Sequence, residues 1–294
     1  MNRKRRRHEN IAGYSFVMPA LVCLIVFTFV PMVLSLYYGL TDYNGAKGPF
    51  FVGLKNFRQL FKDPAVLAAI KNTLLYVAIS VPVQTVISLI LAALLAANFQ
   101  NKFGGFVRST LFVPVVCSAS VVATVWYIMF TNDPDGPVNV FVSLFGVKAM
   151  NWLGRKASAF LAITFVNIWK GVGYYLVIFY AGIMDVPRTL FEAAEVDGAT
   201  KFQQFLHITL PSLRSITYLV VTLCSISSFK IFDISFTMTA GGPGYATTTL
   251  VHRIYIEAFK NYKFGYASAV AIIMLVIIMI LTILERRAFR EQVN

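Results

Sequence analysis

The sequence predicts an all-α polytopic membrane protein, and three observations support that prediction. Hydrophobic residues make up 57% of the 294 residues and charged residues only 13%, whereas an average soluble domain is about a quarter charged. The charges are segregated, and several windows of about 20 residues hold none or one. Long apolar segments of this kind are typical of helices that cross the hydrocarbon core of a bilayer.

Six transmembrane helices are predicted, and each is long enough to cross about 30 Å of hydrocarbon. Their approximate ranges are 14–40, 73–97, 110–130, 157–184, 215–238 and 266–284. We assign all of them to one transmembrane domain, 1–294, because no low-complexity linker or soluble domain interrupts them. The first segment is too long for the apolar part of a signal peptide and no cleavage site follows it, so we expect an uncleaved signal anchor.

Basic residues near the N-terminus predict the orientation in the membrane. This basic run comprises Arg3, Lys4, Arg5, Arg6 and Arg7. By the positive-inside rule it holds the N-terminus in the cytoplasm. With six spans the C-terminus returns to the cytoplasm, in agreement with Arg286, Arg287 and Arg290. The rule leaves unexplained the basic residues of the predicted outer loops, which are Lys47, Lys55, Arg58, Lys62 and Lys148.

The sequence lacks the motifs typical of metal sites, of an ATP site and of nucleic-acid binding. The three cysteines lie inside predicted spans without a CxxC pair, and the three histidines are scattered, so no metal site is expected. No GxxxxGK[ST] motif occurs, so the chain has no P-loop for ATP. The basic residues form no stripe that would bind nucleic acid. We therefore expect no catalytic site, metal or cofactor in this chain and no nucleic-acid partner.

The second predicted span carries small residues at a spacing of four, namely Ser88, Ala92 and Ala96. A face of small residues lets two helix backbones approach closely within lipid. The spacing leaves open whether the partner is a helix of the same chain or of another subunit.

The predicted cytoplasmic loop, 185–214, carries the local signals of two short helices. Pro187 suits the first helical turn, where a missing N–H costs nothing. Gly198 follows Asp197 and can take the left-handed conformation that ends a helix. Thr200 and Gln203 have the spacing of a capping box, which begins a second helix.

Pro211 is expected to end the second helix and to push Leu210 towards an extended conformation. The loop is then a short helix–turn–helix on the cytoplasmic side. Such a unit is suited to a groove on another protein. The same pattern also fits a loop that lies on lipid headgroups, and the residues alone do not separate the two.

A family resemblance distinguishes these alternatives. The loop resembles the EAA loop of permease subunits in binding-protein-dependent ABC importers through Glu192, Ala193, Ala194, Asp197, Gly198, Ala199, Phe205, Ile208, Leu210 and Pro211. Further similarities lie in residues 51–57, 108–114, 152–153, 169–170 and 183–187. Residues 239–243, 255, 258–259 and 265–267 resemble the sugar-permease branch of the maltose or glycerol-phosphate type. The resemblance covers nearly the whole chain.

The resemblance implies the compact six-span fold of a type I ABC importer permease, in the cell membrane of a prokaryote. It implies a non-catalytic subunit that forms half of a carbohydrate pathway with a second, similar permease. An extracellular solute-binding protein would deliver the sugar, and a cytoplasmic ATPase dimer, which binds ATP and Mg, would grip the EAA loop. The implied coupling residues are Glu192, Ala193, Ala194, Asp197, Gly198, Leu210 and Pro211. Glu192 would anchor the loop to the ATPase.

Charged residues inside predicted spans are candidates for the pathway, because such charges are costly in lipid. Lys170 lies in the fourth span, and Lys230 and Asp233 lie three apart on one face of the fifth. One interpretation is that Lys230 and Asp233 neutralise each other while backbone carbonyls hold Lys170. The other is a polar lining for sugar hydroxyl groups. The residues that would join that lining are Asn167, Tyr174, Tyr175 and Ser227.

Two rival functions fit the sequence less well. A stand-alone secondary transporter would have inverted repeats, broken helices and intramembrane carboxylates, and only Asp233 qualifies clearly as such a carboxylate. An intramembrane enzyme would need paired carboxylates, metal ligands or a Ser/His dyad within the spans. The sequence does not name the sugar, nor does it tell whether the partner permease is a different chain or a second copy.

Overall fold

The computed structural model describes residues 3–290 of the chain and the side chains of residues 14–289. It contains two compact units. The hairpin unit consists of the chain up to Asp63 together with Ile254–Met274, and the bundle unit consists of Pro64–Arg253 together with the chain from Leu275. The side chains of the N-terminal basic run and of Arg290 lie outside the described residues, so the orientation in the membrane stays a prediction.

The all-α membrane architecture is confirmed. Five helices of the described chain are long and apolar enough to span a bilayer, and a bent helix pair makes a sixth span. We number these spans in chain order: Tyr14–Gly39, Pro64–Asn98, Lys102–Val116 with Ala119–Met129, Lys156–Met184, Arg214–Thr239 and Phe264–Phe289. The second span begins well before the predicted residue 73, because Pro64 opens the helix and no residue from there to Thr73 interrupts it.

The bent pair carries the chain across the bundle unit, as the packing of its neighbours demonstrates. The second and fourth spans run parallel, since Tyr76 stacks on Phe160 with ring centroids 4.2 Å apart and the Ser88 hydroxyl donates to the Val172 carbonyl at 2.9 Å. Phe130, which follows the bent pair, packs in the same apolar cluster as Tyr76. The chain has therefore returned to the end where the second span began, and the pair counts as one crossing.

The third span corrects the prediction of a single helix over 110–130. Its two helices, Lys102–Val116 and Ala119–Met129, meet at 98°. Cys117 and Ser118 are extended between them, with ψ of 142° and 136°. Pro114 contributes to the break, because its ring removes a backbone donor from the last turn of the first helix.

The fifth span is also interrupted, where the sequence predicted a continuous helix over 215–238. Helix Arg214–Phe229 ends, and helix Asp233–Thr239 begins after Phe232 at φ −138° and ψ −62°. The Ile231 carbonyl at this break accepts a hydrogen bond of 2.9 Å from the Thr249 hydroxyl. A side chain from the following loop thus replaces the missing helical hydrogen bond.

Pro31 and Pro211 lie at junctions between helical segments and do not end the helical course of the chain. A π-helical turn precedes each: Ile25–Phe29 comes before Pro31, and Phe205–Thr209 comes before Pro211. In each case the residue before the proline closes the wider turn, and the proline enters the next helical segment in its first turn, where no N–H is needed.

The small-residue face of the second span packs within the chain. Ser88 and Ala92 have no exposed surface and Ala96 has 5%. Ala92 belongs to an apolar cluster with Leu176 and Phe179 of the fourth span, and Ser88 bonds to Val172 of the same span. Of the two partners that the spacing left open, a helix of the same chain is the observed one.

In the hairpin unit, a short ordered segment follows the first span. Strands Thr41–Asp42 and Phe50–Phe51 pair antiparallel, and helix Lys55–Leu60 follows. The Asn56 amide donates to the carbonyls of Gly39 at 3.0 Å and Thr41 at 2.9 Å. We call residues 41–62 the hairpin segment.

The remaining helical segments lie between the spans. They are Pro137–Ser143, Arg188–Val196, Lys201–Gln204, Phe205–Thr209, Leu210–Ser212, Leu250–Tyr255 and Ile256–Lys260. Within the first span the described helices are Arg3–Leu24, the turn Ile25–Phe29 and Val30–Gly39. The last helix continues to Arg290.

Candidate functional site

The loop between the fourth and fifth spans forms the predicted helix–turn–helix. Helix Arg188–Val196 begins after Pro187 and ends at a turn in which Gly198 has φ +77°. The Ala199 amide bonds to the Ala194 carbonyl at 2.9 Å, which satisfies a carbonyl left free at the helix end. The left-handed conformation predicted for Gly198 is therefore confirmed.

One interaction begins the second helix and another joins it to the first. The predicted capping box is present: the Thr200 hydroxyl accepts from the Gln203 amide at 3.3 Å, and the Gln203 side chain accepts from the Thr200 amide at 2.7 Å. Across the turn, Lys201 forms an ion pair with Glu195. The hydrogen bond and charge of Lys201 hold the pKa of Glu195 below its usual range.

The end of the loop differs from the prediction. Leu210 is helical, with φ −61° and ψ −45°, rather than extended. Pro211 does not end the helix, because the π-helical turn before it lets the Leu210 amide bond to the Phe205 carbonyl. The chain continues through Leu213, which is completely buried, into the fifth span.

The predicted coupling residues lie on the surface of this loop. Most of them are exposed and Ala194 is half-buried; the exposed ones are Glu192, Ala193, Asp197, Gly198, Leu210 and Pro211. Between the two short helices is an open pocket of about 300 Å³, which Ala194, Asp197 and Gly198 line together with residues of the second helix. A second protein can reach this pocket without any rearrangement of the loop.

Lys170 is engaged with the backbone of the third span. Lys170 is half-buried, and its ammonium group donates to the Val115 carbonyl at 3.2 Å. That carbonyl belongs to the last turn before the break, where helical partners are missing. A cation is also favoured at the carbonyl end of a helix. Lys170 is thus held by a carbonyl, as one of the two interpretations expected.

The other polar candidates of the fourth span divide between the interior and the surface. Tyr175 is 4% exposed and packs in an apolar cluster, so it does not line an open path in this chain. Asn167 is half-buried and its amide lies 3.5 Å from the Ser80 hydroxyl. Tyr174 is 41% exposed. Of these three residues, Tyr174 is the most accessible to a solute.

The ion pair expected between Lys230 and Asp233 is absent. The helix break at residues 230–232 separates them, both side chains are exposed, and no ion pair joins them in the described part of the chain. Ser227, one turn before the break, is exposed as well. The structure therefore gathers three polar side chains at the break of the fifth span instead of neutralising two of them.

A threonine-rich loop supports this break, and the sequence analysis missed it. Thr247, Thr248 and Thr249 are buried, although the prediction assigned them to an outer loop. The Asn72 amide donates to the Thr248 carbonyl at 2.9 Å, and the Leu250 amide donates to the Thr73 hydroxyl at 3.0 Å. Three consecutive threonines after a glycine-rich turn were the available signal.

The spans, the broken helices and the exposed helix pair between the fourth and fifth spans together define a membrane-embedded transport subunit. The chain belongs to the family of binding-protein-dependent transport system inner membrane components, whose profile matches residues 66–290. The matched part includes the helix pair, both broken spans and the threonine-rich loop.

Relatives match along almost the full chain. YurN of Bacillus subtilis, a probable ABC transporter permease protein, is 35% identical over 285 residues, covering 96% of this chain and 97% of the relative. The trehalose/maltose transport system permease protein MalF of Thermococcus litoralis is 31% identical over 291 residues, covering 98% and 96%.

A solved structure shares the fold. It is a chain of a bacterial ABC transporter involved in the import of the acidic polysaccharide alginate, with a TM-score of 0.84 and 98% of both chains covered. The two sequences are 21% identical, so this similarity defines the architecture alone.

Proposed function

We propose that this chain is one permease subunit of an ATP-driven carbohydrate importer in the plasma membrane of a prokaryote. The exposed helix–turn–helix with its open pocket is the observation that supports coupling to a separate ATPase. Membership of the family supports a role in transport. The relative named for trehalose and maltose transport supports carbohydrate as the substrate class.

In this proposal the helix pair is the site where the ATPase dimer binds. Glu192 and Asp197 give the exposed loop negative charges, and Gly198 permits the turn that opens the pocket. ATP and Mg are bound by the ATPase, and this chain supplies no group to their chemistry. A second permease subunit completes the pathway, and an extracellular solute-binding protein delivers the sugar.

The connection between the loop and the fifth span transmits a displacement of the loop into the bundle. Leu213, between the loop and the helix of the fifth span, is completely buried, and the Thr217 amide bonds to its carbonyl at 2.7 Å. In this proposal these contacts let the loop and the helix move together. A displacement of the loop by the ATPase then reaches the break at residues 230–232. Ser227, Lys230 and Asp233 are the side chains that we assign to the pathway there, with hydroxyl, ammonium and carboxylate groups for sugar hydroxyls. Asn167 and Tyr174 are secondary candidates.

The test is uptake of labelled oligosaccharide by proteoliposomes that contain the chain with its ATPase, second permease and binding protein. We expect uptake that requires ATP, and none when the chain is reconstituted alone. Glu192→Ala should abolish uptake and sugar-stimulated ATP hydrolysis while the complex still assembles. Glu195→Ala is the matched control, because Glu195 lies on the same helix but pairs with Lys201.

Two results would contradict this proposal. Uptake by the chain alone, driven by an ion gradient, would indicate a stand-alone secondary transporter. Full ATP-dependent uptake by the Glu192→Ala variant would remove Glu192 from the ATPase contact.

A further inference from the structure

The hairpin segment combines exposed apolar and basic side chains on a rigid support. Phe50, Phe51, Leu54 and Phe61 are exposed by 59–72%. Lys47, Lys55, Arg58 and Lys62 are exposed beside them in the sequence. These are four of the five basic residues that the positive-inside rule leaves unexplained, and the proposed transport function assigns them no role.

The helix Lys55–Leu60 displays both kinds of side chain on one face. Asn56 and Leu60, four residues apart, are buried and hold the helix on its support. The opposite face therefore carries Lys55, Arg58 and the flanking Phe61. No acidic side chain pairs with the four basic residues within the described part of the chain. The positive charge of this face is consequently available to an external partner.

The hydrogen bonds that hold the hairpin segment place it at the ends of two membrane-spanning helices. Asn56 bonds to Gly39, the last residue of the first span. The Gly265 amide, at the start of the sixth span, bonds to the Tyr43 carbonyl at 3.0 Å, and the Tyr266 hydroxyl donates to Asp63 at 3.0 Å. A segment fixed where two spans end lies at the level of the lipid headgroups.

We propose that this face of the hairpin segment binds the headgroups of anionic phospholipids. The lysine and arginine side chains contact the phosphates, and the phenylalanine and leucine side chains enter the boundary with the acyl chains. The inference goes beyond the proposed transport function and does not depend on ATP coupling.

Composition favours lipid over a protein partner. Protein interfaces are enriched in aromatic residues and Arg and depleted of Lys. This face has three lysines to one arginine. The basic side chains are interspersed with the apolar ones along the segment, whereas a protein interface has an apolar centre with charges at its rim. The alternative partner, an acidic surface of the solute-binding protein, is an outcome of the test.

The test measures lipid preference at the segment itself. Gln59, which is exposed on the helix, is replaced by cysteine and labelled with a fluorophore, after Cys23 and Cys117 are changed to serine. Cys224 is buried and stays unlabelled. The complete importer is placed in nanodiscs of phosphatidylcholine with a minor fraction of phosphatidylglycerol. Brominated acyl chains on one lipid at a time report which lipid contacts the label.

We expect stronger quenching by brominated phosphatidylglycerol than by brominated phosphatidylcholine. The double substitution Lys55→Gln with Arg58→Gln should lower this preference by about fivefold per charge removed. The matched control, Lys148→Gln with Arg155→Gln, also removes one lysine and one arginine from exposed positions and should leave the preference unchanged. Lys47 lies outside the helix Lys55–Leu60, and Lys47→Gln should lower the preference for phosphatidylglycerol by about fivefold. The test therefore remains decisive if the helix variant fails to fold.

Equal quenching by the two lipids would overturn the proposal. So would an unchanged preference in the Lys55→Gln, Arg58→Gln and Lys47→Gln variants. If the label instead responds to the sugar-loaded binding protein and the basic substitutions weaken that response without altering lipid quenching, the face docks protein and not lipid. Loss of sugar uptake with lipid preference intact would affect the transport proposal alone.

Discussion

The ammonium group of Lys170 in the fourth span donates to the backbone carbonyl of Val115 in the third, 3.2 Å away, two residues before that span is broken at Cys117. The last carbonyls of a helix need partners from outside that helix. Here the partner is a charged side chain from a neighbouring helix. The geometry of the bend therefore depends on a residue that local sequence around the bend does not contain.

Replacing this lysine should loosen the third span. Lys170→Met removes the donor and keeps the length of the side chain, so we expect the assembled complex to lose about 1.5–3 kcal/mol of stability, as for other hydrogen bonds to charged groups. The midpoint of thermal unfolding in detergent is the measurement. Lys170→Arg keeps a cationic donor and should retain most of the stability. Equal midpoints for the wild type and Lys170→Met would contradict a supporting role.

The contact between the third and fourth spans makes a second prediction. A methyl group at Gly173 would lie 1.9 Å from the Leu111 carbonyl oxygen, which is backbone and cannot move aside. Gly173→Ala should therefore separate the two helices and cost about 1–3 kcal/mol. Gly171→Ala is the control on the same helix, because its methyl group meets only the Gln84 side chain, at 2.7 Å. The amount of folded complex after membrane extraction should fall further for Gly173→Ala, and the reverse order would refute this packing argument.

We call the loop between the fourth and fifth spans, residues 185–214, the coupling loop, and its turn at Gly198 can be tested through the backbone alone. No atom beyond the neighbouring residues lies within 4 Å of a Cβ added at Gly198, so we expect a substitution there to act through backbone conformation. Gly198→Val places a β-branched residue at φ +77° and should cost about 1–2 kcal/mol locally. We expect the variant to insert in the membrane but to lose sugar uptake. Gly198→Asn, which tolerates this conformation, should keep much of the uptake; equal loss in both variants would mean that backbone strain is not the cause.

The break in the fifth span predicts how Lys230 and Asp233 contribute to the stability of the complex and to transport. Because Lys230 and Asp233 are exposed and do not pair, removing either should leave the stability of the complex nearly unchanged. The double variant Lys230→Met with Asp233→Leu should assemble normally and fail to transport. Complex yield and sugar uptake, measured on the same membranes, distinguish this from mutual neutralisation. In that case each single variant would assemble poorly and the double variant would recover both properties.

Local signals in the sequence were sufficient for the coupling loop. The left-handed Gly198 and the capping box of Thr200 and Gln203 each follow from residues within one helical turn, and both are confirmed. Pro211 was read by the same local rules and the prediction was wrong. A π-helical turn of five residues accommodates the missing backbone N–H of Pro211, and no pattern of residues predicts that turn.

The broken spans could not be predicted in the same way. Apolar composition identifies a crossing but does not distinguish a straight helix from a bent one. At both breaks a distant side chain satisfies a free carbonyl: Lys170 for Val115 and Thr249 for Ile231. Lys170 lies 55 residues from Val115 in the sequence, and Thr249 lies 18 residues from Ile231. Only the tertiary structure reveals such partners. The pairing expected for Lys230 and Asp233 failed because it assumed an unbroken helix.

The bond between the Leu250 amide and the Thr73 hydroxyl joins residues 177 positions apart, and it has a consequence for biosynthesis. Asn72 and Thr73 enter the membrane with the second span, long before the ribosome has made the loop that carries their partners. Until that loop arrives, their polar groups must be met by water or by the translocation machinery. The native bundle therefore closes only after the fifth span has been inserted, and truncation before residue 250 should leave a nascent chain that quality-control proteases recognise.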